Sequence, residues 1–118
     1  MGPKQDGQRR TDRRIAETSV IPSHPGRTLS AELSARGLNP HALALKLRVP
    51  STRVADIVNG KRGITVETAL RLGRYFGNGA DYWMNLQTAY DIGVAEQQHG
   101  ARIAAEVENG AAGESQSQ

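Results

Sequence analysis

Ser51, Thr52, Arg53 and Asp56 fall within six residues of one another, and Lys61 and Arg62 follow shortly after. Short hydroxyl side chains, a guanidinium and a carboxylate, spaced along one face of a helix, can read base edges in a DNA major groove: a guanidinium pairs with guanine, a carboxylate accepts from cytosine. Lysine and arginine just past such a helix are suited to phosphate oxygens. Asp56 repels phosphate, so it either accepts from cytosine, orients Arg53 through a local pair, or is simply an exposed carboxylate. For Ser51 the bland alternative is helix capping, a role compatible with DNA contact.

Other chemistries find little support. His24, His41 and His99 are too scattered for a metal site, and HExxH is absent. There is no glycine-rich phosphate loop, no Gly-x-Ser-x-Gly elbow and no nucleophile with an evident base, so no enzyme activity and no cofactor is expected. The chain lacks cysteine, which leaves neither disulfides nor thiolate sites and makes the cytoplasm the expected compartment. No apolar run approaches the ~18–20 residues that span a bilayer, and MGPKQDGQRR has no apolar h-region.

The elements that must hold the candidate residues are helical. With 118 residues, 37% of them hydrophobic, the chain suits one modest core. Apolar residues recur at spacings of three and four, with no sustained alternation, which predicts an all-α fold. A first helix is expected from about Pro25 to Arg36, closed by Gly37. A second opens at Asn39 as N-cap with Pro40 in its first turn and buries Leu43, Ala44 and Leu47. After a turn of about three residues, Arg48 to Pro50, a third starts at Ser51 and Thr52 and ends at Asn59-Gly60. Thr65 caps a fourth, with a buried face drawn from Ala69, Leu70, Leu72, Tyr75 and Phe76. A fifth, from about Ala80 to Val94, carries Trp83, Leu86, Gln87 and Tyr90. Trp83 and Tyr90 are read as core or dimer contacts and Gln87 as a hydrogen-bond partner for backbone. Residues from Glu96 to Glu108 either extend this helix or form a separate acidic one.

Charge is segregated along the chain. The net charge is only +3. Residues 39–76 hold 7 basic and 2 acidic side chains, whereas residues 77–118 hold 1 and 6. A cationic middle suits nucleic acid, and an anionic end suits a cationic protein. Residues 1–20, with Arg9, Arg10, Arg13 and Arg14, are expected to be a flexible basic arm, either solvated or in non-specific phosphate contact. Residues 108–118 are expected to be a disordered polar tail, leaving 21–107 as the folded domain.

Two short helices joined by a tight turn, with small Ala44 where they cross, match a helix-turn-helix. The stretch LALKLRVPSTRVADIVNGKRGIT resembles the Cro/repressor-like (XRE) helix-turn-helix family. IPSHPGRTL, VNGKRGITVETALRLGRYFG and YWMNLQTAYD, in that order and spacing, resemble the HigA antitoxin family, the plasmid-maintenance antidote proteins of the VapI type. This resemblance implies a five-helix domain with a C-terminal helical extension and a homodimer. It further implies repression of the protein's own promoter and neutralisation of a HigB/RelE-like toxin that cleaves mRNA. It places the recognition helix at about Ser51–Asn59, with Ser51, Thr52, Arg53 and Asp56 facing bases and Asn39 opening a helix whose N-terminus meets a phosphate. The sequence departs from the family at Arg48, where such turns most often carry glycine because the residue takes positive φ. Two alternatives stand beside this reading: a stand-alone or phage-type repressor without a toxin, and an interaction module that has lost DNA binding. The retained basic excess over residues 39–76 argues against the last.

Overall fold

The computed structural model describes residues 21–111; the expected basic arm (1–20) and most of the expected tail (112–118) lie outside the described residues. Five helices and no strand occur among the described residues: α1 (Pro25–Arg36), α2 (Pro40–Leu47), α3 (Ser51–Val58), α4 (Val66–Phe76) and α5 (Ala80–Glu106). The all-α expectation holds. None of these helices is long and apolar enough to cross a membrane.

Residues 22–92 form one structural unit. Helix α1 begins at Pro25, and the Nδ1 atom of His24 accepts a hydrogen bond from the Gly26 amide at 2.9 Å. Helix α2 is capped as expected, with the Asn39 carboxamide oxygen accepting from the Ala42 amide at 2.7 Å. Its other end is closed by Arg48 at φ 62°, the one non-glycine residue with positive φ among those described. The amides of Arg48 and Val49 turn back onto the carbonyls of Leu45 and Ala44, at 3.3 and 3.1 Å, so the left-handed turn that glycine usually makes is made here by arginine. Relief of the left-handed strain, about 1–2 kcal/mol, outweighs the entropic cost of glycine, about 0.5–1 kcal/mol. Arg48→Gly is therefore expected to raise stability by about 0.5–1 kcal/mol in chemical denaturation.

Helix α3 starts at Ser51 and closes at Asn59 as expected, while the capping alternative for Ser51 does not hold. Its N-cap is Pro50, without a side-chain cap, and Ser51 is already the first helical residue. The Arg53 amide bonds to the Pro50 carbonyl at 2.9 Å, so the proline backbone closes the first turn and leaves the Ser51 hydroxyl unused. Helix α4 is capped by Thr65, whose oxygen accepts from the Thr68 amide at 3.3 Å.

One core unites these helices, built from Leu29 and Leu33 of α1, Leu43, Ala44 and Leu47 of α2, Val54 and Ile57 of α3, Ala69 and Leu72 of α4, Ile64 before α4 and Trp83 of α5. Of the face expected on α4, Leu70 and Tyr75 are exposed, because they sit to the side of the stripe defined by Ala69, Leu72 and half-buried Phe76. Trp83 is fully buried and its indole Nε1–H donates to the Asn78 side-chain oxygen at 2.8 Å, which resolves the core-or-dimer alternative in favour of the core. Tyr90 packs edge-on to the His24 ring at 4.9 Å.

The residues from Gly93 onward belong to a second unit. There α5 runs unbroken to Glu106, so the acidic segment extends the fifth helix. Its surface is almost wholly exposed and its polar contacts are local, with Arg102 placed 3.5 Å from Glu106 and 3.0 Å from His99.

Candidate nucleic-acid interface

The pairing of α2 with α3 rests on Leu43, Ala44, Leu47, Val54 and Ile57, all buried. Because helical periodicity commits Val54 and Ile57 to the core, Ser51 and Thr52 are exposed and Arg53 and Asp56 half-exposed. The hydroxyls of Ser51 and Thr52 make no intramolecular hydrogen bond among the described residues, so their hydrogen-bonding capacity is open to an outside partner.

Arg53 is held. Its Nη1 donates to the Thr68 hydroxyl at 3.3 Å, and Thr68 is itself buried at the start of α4. The local pair weighed between Asp56 and Arg53 does not form. Asp56 faces the following loop, where its Oδ2 lies 3.9 Å from Arg62 Nε, because the chain doubles back after α3 through Gly60 at φ 76°. Both partners of this ion pair are more than a third exposed, so it positions Arg62 more than it stabilises the fold. Lys61 is exposed without an ion pair among the described residues, and its backbone amide bonds to the Asp56 carbonyl at 2.8 Å.

This loop is fastened from α5. Gln87, 8% exposed, accepts from the Ile64 amide through Oε1 at 2.6 Å and donates through Nε2 to Asp91 at 2.9 Å, the backbone role expected of it. Asn39 lies apart from the α3 face in sequence and caps the N-terminus of α2, the positive end of that helix.

Two contributors, Thr68 and Arg71, escaped the sequence reading. Thr65 and Thr68 form a hydroxyl pair at 3.1 Å beside Arg53. Arg71 donates from Nη1 to the Leu47 carbonyl at 2.9 Å, satisfying the C-terminal end of α2, and pairs with Glu67 at 3.0 Å. Threonine three residues past a cap is the available signal for the first pair; nothing local signals the reach of Arg71 across 24 residues.

Two short helices at a tight turn, the second presenting an open polar face, define a helix-turn-helix protein, and the helix-turn-helix family model matches residues 31–83. Virulence-associated protein I of Dichelobacter nodosus is 55% identical over 75 residues, covering 63% of this chain and 69% of the relative. An addiction module antidote protein of the HigA family from Coxiella burnetii has a similar structure, with a TM-score of 0.73 and 43% identity over 76% of this chain and 99% of that one. The Pseudomonas aeruginosa antitoxin HigA, solved with the higBA promoter, has a TM-score of 0.72 and 44% identity over 74% of this chain and 96% of that one. The chain belongs to the HigA antitoxin family.

Proposed function

We propose that this protein is a DNA-binding antitoxin: a cytoplasmic homodimer that represses its own operon and neutralises a HigB/RelE-like mRNA-cleaving toxin, acting by binding and not by catalysis. The observation that carries the DNA half is the open polar face of α3, flanked by the exposed Lys61, in a chain 44% identical to an antitoxin solved with its promoter. In this reading α3 enters the major groove, with Ser51, Thr52, Arg53 and Asp56 toward base edges. Asn39 at the start of α2, with Lys61 and Arg62 after α3, meets phosphates, and a two-fold dimer requires half-sites about 10 bp apart or a multiple of that.

A titration of operator DNA against salt tests this. Arg53→Ala is expected to cost about 1–3 kcal/mol and relax specificity at one base step, whereas Lys61→Ala weakens all sequences alike and lowers the salt slope by about one. Unchanged affinity and base preference in Arg53→Ala would remove α3 as the reading helix.

For the toxin, the acidic segment containing Asp81, Asp91, Glu96, Glu106 and Glu108 is the natural complement to a protein that must itself be cationic to bind RNA. Contact there leaves the basic surface free for DNA. Deleting residues 96–118 is expected to abolish most toxin affinity in calorimetry. Full affinity in the folded, shortened chain would shift the contact to the region Ile21–Leu33.

A further inference from the structure

We infer that Thr68 is a positioning residue for DNA reading: its buried hydroxyl holds the Arg53 guanidinium so that the free Nε/Nη2 edge is presented ready-made to a guanine in the major groove. This rests on the proposed DNA-binding function and adds to it a determinant outside the recognition helix, on α4.

The hydroxyl is placed by its own surroundings. Thr68 is 1% exposed, and its Oγ1 accepts from two donors, Arg53 Nη1 at 3.3 Å and Thr65 Oγ1 at 3.1 Å. A hydroxyl oxygen has two lone pairs, so both are filled and the oxygen is fixed as an acceptor. Thr65 is fixed in turn, because its oxygen receives the Thr68 amide as the cap of α4. The acceptor for Arg53 is thus part of a helix cap, a rigid feature of the backbone.

The placement has no simpler electrostatic cause. The first turn of α4 is the positive end of a helix, where a cation gains nothing from the helix dipole. Nor does a carboxylate hold Arg53, since Asp56 faces Arg62 and Glu67 faces Arg71. What remains is a neutral hydroxyl that takes one Nη1 hydrogen. The Nε/Nη2 edge, which matches guanine O6 and N7, is left unused among the described residues. An arginine ordered before binding loses less side-chain entropy on contact, and its edge is aimed at one base step.

The test couples NMR of the free chain with binding to a duplex selected from a randomised double-stranded DNA library. In the wild type the Arg53 Nε–H order parameter is expected near the rigid range, about 0.8, against below about 0.6 for exposed Arg48. Thr68→Val, which keeps the shape and removes the acceptor, should drop Arg53 to the Arg48 range and weaken binding about five-fold, while Thr68→Ser restores both. In an Arg53→Ala background Thr68→Val should change nothing further. The inference is overturned if Arg53 is as mobile as Arg48 in the wild type, or if Thr68→Val costs as much without Arg53 as with it. If Arg53 is ordered through Thr68 but the wild type prefers no sequence, the DNA-binding reading itself falls, a failure distinct from loss of the Thr68 to Arg53 link.

Discussion

Trp83→Ala is expected to lower stability by about 3–5 kcal/mol, a large fraction of what a domain of this size has. The ring is fully buried, 5.7 Å from the Phe76 ring and 5.3 Å from that of Tyr82, and it is where α5 enters the core formed by α1 to α4. The loss joins the ring's buried apolar surface with the cavity left behind. The Asn78 oxygen released from the indole belongs to an exposed residue and can turn to water. Trp83 is also the only tryptophan, so wild-type unfolding can be followed by its fluorescence and the variant by circular dichroism. An unchanged denaturation midpoint in the variant would contradict its place in the core.

Gly26→Ala comes next, at about 1–3 kcal/mol destabilising, and here the sign is the informative part. In a helix this exchange ordinarily stabilises by about 0.8–1.0 kcal/mol. At position 26, however, a Cβ would run into the backbone carbonyl of Ile57, near the end of α3. The new Cβ is fixed to its backbone and the atom it meets is main chain, already bonded to the Gly60 amide at 3.0 Å, so no side chain can swing aside. The methyl group must push α1 and α3 apart. Denaturation curves together with amide shifts along α3 would register this, and a stabilised variant with unmoved α3 amides would refute the close approach.

These two positions also mark what could be read from the sequence. The helices were legible because their signals are local: Asn39-Pro40 opens α2, Thr65 caps α4, and Gly77-Asn78-Gly79 separates α4 from α5. The buried stripe of α3 follows from Val54 and Ile57 at helical spacing, and its complement, the polar face, follows with it. The role of Gly26 was not legible, since close approach to Ile57 depends on how α1 crosses α3. For the same reason the partner of Arg53 is not legible locally: of the alternatives open for Asp56 the pair with Arg53 is the one that does not form, and Arg53 bonds instead to Thr68, 15 residues away. Arg48 stands in the sequence where such turns carry glycine, and the chain keeps the turn and bears the strain.

Helix α3 is only 8 residues long and has no side-chain cap. Isolated helices below about 12–15 residues are marginal in water, so this one exists only while the rest of the domain surrounds it. Partial function by a loosened chain is therefore foreclosed. As temperature or denaturant depletes the native population, the surface carried by α3 vanishes in the same proportion, and the protein's occupancy of any site read through that helix becomes a thermometer of its own fold.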